Sequence, residues 1–184
     1  MEHPLHRLVG DALLELRASV PDAIVILSPE CGGGQHIPLF SSHSHSHATK
    51  YCNVDAAIVL GKRLRVIIEI EESDVKPTQI CGKFLTSALS CGLRHREMGG
   101  EMIPLDDNAV FVQVLDTCGL NLERTSKPEQ WDNLRQSIQT LLASKVSKIN
   151  RYAMFYGAIS DFKVGATRRS ELVRDLQTAC NTVL

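Results

Sequence analysis

Apolar residues recur at helical spacing near the start of the chain: Leu5, Leu8, Val9, Ala12, Leu13 and Leu16. Positions three and four apart share a helical face, so the spacing predicts an amphipathic helix over residues 3–19, stopped by Pro21. Ala23 to Leu27 is a short β-branched run and reads as a strand. The pattern lapses over residues 29–50, PECGGGQHIPLFSSHSHSHATK, where a long loop is expected. Two runs then fit strands, YCNVDAAIVL (51–60) and RLRVIIEIEE (63–72). Gly61-Lys62-Arg63 between them is short and contains glycine, as a hairpin requires.

Further on, Ile80, Phe84, Ala88 and Cys91 define the apolar side of a helix running to about Ser90. Gln79, Lys83, Thr86 and Ser90 form its polar stripe. Ser73 or Asp74 would cap it, with Pro77 in the first turn. Residues 92–108 read as a polar loop and Ala109 to Leu115 as a strand. Ser126 and Glu129 fit a capping box for a helix that buries Trp131, Leu134, Ile138, Leu141 and Leu142. Arg151 to Ile159 fits a strand. A last helix is expected from about Thr167 to Val183, with Leu172, Leu176, Ala179 and Val183 inside. No internal repeat or linker interrupts residues 1–184, which predicts one domain. The order of elements predicts an α/β fold, a mixed sheet with helices on both faces.

One strand does not fit the ordinary pattern. RVIIEIEES, Arg65 to Ser73, places three glutamates among apolar neighbours that should be buried. Buried carboxylates are costly unless paired. Strand alternation puts Glu69 and Glu71 on one face, with Val66, Ile68, Ile70 and Glu72 on the other. Asp55, inside the preceding strand, would fall opposite positions 68–70 if the hairpin forms, near Glu69 on the same face. Converging carboxylates repel one another, and a hard divalent cation between them relieves this. Such an ion can also activate a water for attack on a phosphodiester.

This arrangement resembles the PD-(D/E)XK nuclease superfamily, whose fold is called restriction-endonuclease-like. The resemblance lies in NVD…IIEIEES and in the helix-strand-strand-strand-helix-strand order of residues 5–115. It implies Asp55 as the first acid and Glu69 as the second. Glu71 stands where the family usually has lysine, an acid variant found in several Type II restriction endonucleases. Val54, not proline, precedes Asp55. The resemblance implies an Mg2+-dependent DNA endonuclease, with Mn2+ as a substitute ion, whose metal ligands are Asp55, Glu69 and Glu71. Lys83 on the following helix would supply the displaced positive charge. Glu15 on the first helix is a further candidate to approach the metal. Glu72 is expected to be a strand-end salt-bridge partner.

Composition narrows the partners. With 20 basic and 21 acidic residues the net charge is −1, so the chain lacks the basic surplus of a protein that binds DNA unaided. Double-stranded DNA is the expected substrate, read with a larger recognition subunit or as a homodimer on a palindrome. The small catalytic subunits of heterodimeric restriction or nicking endonucleases look similar in this respect. The competing readings are a nonspecific or DNA-repair nuclease of the same fold, and a non-catalytic interaction domain. Six cysteines without a C-x-x-C pair argue against a zinc ribbon. No apolar run reaches the roughly 20 residues of a membrane span, and a cytoplasmic location with reduced thiols is expected. His43, His45 and His47 alternate with serine in HSHSH and are expected to form a polar loop, with Zn2+ or Ni2+ binding as the alternative. Ser44, Ser46 and Lys50 beside them are candidate phosphate contacts. Gly32-Gly33-Gly34 reads as a hinge. LRHRE (93–97) and ATRRS (166–170) are small basic clusters that could touch a DNA backbone.

Overall fold

The computed structural model describes residues 3–44, 46–73, 75–121, 123–145 and 147–182. The chain begins with α1 (Pro4–Ser19), which buries Leu5, Val9, Ala12, Leu13 and Leu16 as its spacing predicts. Next come β1 (Ile24–Leu27), β2 (Ile37–Phe40), β3 (Lys50–Val54), β4 (Ala56–Leu60) and β5 (Arg63–Glu71). After these follow α2 (Pro77–Ala88), β6 (Gly92–Arg94), β7 (Met102–Asp116), α3 (Lys127–Ala143), β8 (Ile149–Gly157) and α4 (Thr167–Asn181).

The strands form one mixed sheet in the order β1-β4-β5-β7-β6-β2-β3, with β8 pairing along β7. The hairpin β4–β5 is antiparallel, and Gly61 and Lys62 both take positive φ, as a tight two-residue hairpin turn demands. β5, β7 and β8 run parallel. Because β7 is long, its start pairs with β6 and its remainder with β5 and β8. An α/β mixed sheet flanked by helices is therefore present, consistent with a restriction-endonuclease-like core. The order α1-β1-β4-β5-α2-β7 supplies that core, and β2, β3 and β6 widen the sheet beyond it.

Alternation along β5 divides the interior in two. Ile67 packs with Ile80, Phe84, Phe111, Leu115 and Trp131 on the side of α2 and α3. Val66, Ile68 and Ile70 pack with Leu5, Val9, Val112, Leu172 and Leu176 on the side of α1 and α4. Both faces being covered explains why β5 reads as a near-continuous apolar run. Burying Ile67, Ile68 and Ile70 contributes roughly 5–9 kcal/mol. That exceeds the several kcal/mol needed to dehydrate one carboxylate, so β5 stays in register although Glu69 is only 1% exposed.

Several expected boundaries move. Residues 29–50 are not one loop, because they contain β2 and the first residue of β3. Residues 92–108 hold β6 and the start of β7. These added strands are short, and the burial of β3 alternates poorly, so hydrophobic period gave no warning. The run 51–60 is two strands broken at Asp55. Gly32-Gly33-Gly34 is not a free hinge. The Gly33 N–H donates to the Ser28 carbonyl in a closed turn, and a Cβ on Gly33 would strike the Leu27 carbonyl. α2 starts at Pro77 with Lys76 as its N-cap, and the Lys76 N–H is taken by the Gln79 side chain. Ser73 is thus not the cap, and Asp74 lies outside the described residues. Ser126 does precede α3, but its side chain makes no capping bond. Val183 also lies outside the described residues. No helix among them is long and apolar enough to cross a membrane.

Candidate active site

The break between β3 and β4 places Asp55. At this residue the chain leaves the β2 edge, where β3 pairs, and crosses to β5, where β4 pairs, and the pairing with β5 already begins at Asp55 itself. The Asp55 N–H donates to the Ile68 carbonyl, and the Asp55 carbonyl accepts from the Ser28 N–H. One step further, Asp55 Oδ2 accepts the Ile70 N–H at 2.7 Å. A side-chain carboxylate thus takes the place of a backbone carbonyl in the ladder, which fixes its position.

Glu69 and Glu71 project from β5 toward α2, as alternation requires. Lys83 comes from α2. It flanks the buried positions Ile80, Phe84 and Ser87, so its stem lies along the packed face while its ammonium reaches the sheet. Lys83 Nζ lies 2.8 Å from Glu69 Oε2, 2.7 Å from Glu71 Oε1 and 3.9 Å from Asp55 Oδ2. All four expected site residues therefore gather around the Lys83 ammonium at the end of β5, but Asp55, Glu69 and Glu71 do not bring three ligand atoms within 4.8 Å of one another, so the expected three-acid metal shell is not closed.

Their electrostatics follow from burial and this shared cation. Burial pushes the Glu69 carboxyl up to about 8, with Lys83 pulling the other way and Asp55 adding to the push. Burial also disfavours charge on Lys83, but the carboxylates of Glu69, Asp55 and Glu71 outweigh it and hold the ammonium above the usual lysine range. Burial likewise opposes ionisation of Asp55. Its contacts with His6, Lys83 and the Ile70 amide more than offset this and keep its carboxyl below the usual range.

The residues present fit a hard cation on one specific observation. Glu69 Oε1 is buried and has no hydrogen-bond partner among the described residues. A buried carboxylate oxygen without a partner is costly, and a divalent ion is a suitable partner for it. Mg2+ needs only one or two protein carboxylates, with waters and substrate oxygens completing its shell, so Asp55 and Glu69 suffice.

Other candidates fall elsewhere. Glu15 is more than half exposed and pairs with Arg169 Nη2 at 2.8 Å, so it does not approach the acids. Arg169 itself is buried and donates to the Leu8 and Phe162 carbonyls, which removes it from the expected basic cluster. Arg168 pairs with Glu171 and lies over the Tyr156 ring. In the other cluster, Arg94 donates to the His43 carbonyl and His95 is buried. His43 and His47 are exposed, and His45 lies outside the described residues. Gln79 is exposed and caps α2, so it takes no part in the site.

Sequence reasoning missed His6. Its Nδ1 lies 2.9 Å from Glu72 Oε1, its Nε2 lies 3.6 Å from Asp55 Oδ1, and its backbone N–H donates to Glu72 Oε1. Burial lowers the His6 pKa, but the Asp55 and Glu72 carboxylates outweigh it and hold the imidazole above its usual value. Glu72 is the strand-end salt-bridge partner it was expected to be, with a histidine opposite. Beside it, an opening at the ends of β5 and β7 is lined by Glu72, Asp116, Lys127 and Trp131. Such crevices at the carboxyl ends of parallel strands are where α/β folds receive ligands.

No protein-family model matches the chain, and neither a curated protein nor a solved structure matches it.

Proposed function

We propose that the chain is a metal-dependent DNA endonuclease of the PD-(D/E)XK type, acting in the manner of a Type II restriction enzyme. The observation that carries this is the meeting of Asp55, Glu69, Glu71 and Lys83 at the end of β5, on a helix-strand-strand-strand-helix-strand core. Acids with a lysine beside them are a set that metal-assisted phosphodiester hydrolysis can use, and Lys83 from α2 lies against Glu71, the position where the family usually has lysine.

Asp55 and Glu69 would hold Mg2+, or Mn2+ in its place. Such an ion would supply a water of lowered pKa and offset charge on the attacked phosphate. The protein groups divide the remaining work. Lys83 keeps its proton far above neutral pH, so it serves as a fixed positive charge toward the phosphate and not as a proton acceptor. The acceptor role falls to Glu71, which lies against Lys83 at the outer end of β5. The balanced net charge favours recognition of double-stranded DNA with a larger recognition subunit, or through a homodimer.

The test is a plasmid digest with Mg2+, with and without a candidate recognition protein. Asp55→Ala and Glu69→Ala should each reduce cleavage at least about 100-fold. Cleavage that is unchanged in both variants rules out the assignment. Cleavage at one sequence only when the second protein is added selects the heterodimer.

A further inference from the structure

Opposite the four-residue site, on the α1 side of β5, lies a second constellation of different chemistry. His3 precedes the first turn of α1, His6 lies within that turn, and Glu72 follows the last residue of β5. Each offers one ligand atom, and these atoms all lie within 4.8 Å of one another, which no other three His, Cys, Asp or Glu groups do among the described residues. Glu72 Oε2 lies 3.6 Å from His3 Nδ1, and Glu72 Oε1 lies 2.9 Å from His6 Nδ1. The two rings meet edge to face with centroids 5.2 Å apart. Donors held about 2.1 Å from a tetrahedral ion stand about 3.4 Å apart, and the two carboxylate distances bracket that spacing.

We propose that His3, His6 and Glu72 form a site for a borderline transition ion, Zn2+, separate from the Mg2+ site. Two imidazoles and one carboxylate suit zinc, whereas Mg2+ prefers oxygen donors throughout. The surroundings of His6 also fit. A metal-bound histidine commonly gives its other ring N–H to a carboxylate, which sets the tautomer and the ring orientation. Here the carboxylate facing His6 Nε2 is Asp55, at an ion-pair distance of 3.6 Å that a small ring rotation would close to a hydrogen bond. His6 is buried while His3 and Glu72 are partly open, so an ion can enter from the His3 side. With three protein ligands, one position stays free for water or another donor. The ion would tie the first turn of α1 to the end of β5, residues 66 apart in sequence. This inference does not rest on the nuclease reading, since a chain that cuts no DNA would still bind zinc here.

The experiment uses the full chain, freed of metal and then titrated with Co2+ as a visible probe and with Zn2+ by calorimetry. One equivalent should bind, and Zn2+ should displace Co2+. His3→Ala and Glu72→Gln should each weaken binding at least about 10-fold, with far-UV dichroism unchanged. His3 makes no contact with Asp55, Glu69, Glu71 or Lys83 among the described interactions, so His3→Ala reads this site apart from the other. His43→Ala/His47→Ala should leave Zn2+ affinity as in the parent chain. The proposal is overturned if the parent chain takes up no zinc. It is equally overturned if both single variants bind as the parent does, or if binding is lost only in the loop double variant.

Discussion

On the α2 side of β5, Glu69 and Glu71 share one lysine ammonium. On the α1 side, Glu72 meets two imidazoles. Asp55 stands between them, with one oxygen toward Lys83 and the other toward His6. Both sides bring carboxylates to the end of the same strand, but they balance them differently. Lys83 carries a charge that persists across the whole physiological range, so its side is fixed electrostatically. On the imidazole side, burial disfavours the charged form of His6, but Asp55 and Glu72 hold its imidazole above its usual value, and it can exchange a proton for a metal. The α2 side therefore keeps a fixed positive charge among its acids, and the α1 side can bias the state of Asp55.

The largest effect should come from removing the fixed charge. Lys83→Met should lower DNA cleavage at least about 100-fold. It should also cost about 2–3 kcal/mol in urea unfolding, below the full value for a buried pair because the ammonium is 34% exposed. The double variant Lys83→Met/Glu69→Leu should regain much of that stability and none of the activity, since a buried carboxyl left without its cation, which takes up a proton there, is worse than an apolar pair. A double variant no more stable than Lys83→Met would show that Lys83 does not balance Glu69.

On the imidazole side the loss should be smaller. His6→Phe keeps the bulk but removes the links to Glu72 and Asp55, at a cost of about 1–2 kcal/mol in the same assay. A change as large as that for Lys83 would erase the distinction between the two faces.

The metal-free chain should show the contrast in its pH dependence. Glu69 and His6 both have raised values, so the folded chain keeps protons that the unfolded chain releases. Their contributions are complete below 4.5 and 6.5 respectively, and the Glu69 part is lost as pH rises to about 8. Asp55, with a lowered value, contributes in the opposite sense, and its part is lost as pH falls below 3.8. If Glu69 holds the proposed Mg2+, the ion favours its ionised form and should raise the melting temperature more at pH 8 than at pH 5. Equal shifts at both values would show that Glu69 does not face the ion. The smallest effect belongs to a residue outside both faces. Gln79→Ala removes the reciprocal cap of α2 and should cost about 0.5–1 kcal/mol with cleavage intact.

Much of the α2 side was legible in the sequence. A period of two assigns Glu69 and Glu71 to one face without any structure, and the short Gly61 turn brings Asp55 alongside. Lys83 was legible because it falls on the polar stripe next to Ile80 and Phe84. The α1 side was harder. His6 lies beside Leu5 and three residues before Val9, and Glu72 shares the face of Ile68 and Ile70. Those two facts meet only once α1 is known to pack on that face, a tertiary contact across 66 residues. The widened sheet was also hidden. β2, β3 and β6 have four, five and three residues, too few for a period to emerge. Asp55 reads as mid-strand in the sequence because nothing local marks the crossover between β3 and β4 on either side of it.

The bond between Arg169 and the Leu8 carbonyl spans 161 residues, and it has a kinetic meaning. α4 covers the same core face as α1, so the burial of Leu5, Val9 and Leu13, begun on the sheet, is completed only once α4 has been made. Contacts this distant in sequence slow folding. During synthesis α1 must wait for α4 to complete this face, and the ordering of His6 against Asp55 and Glu72 should come late in folding.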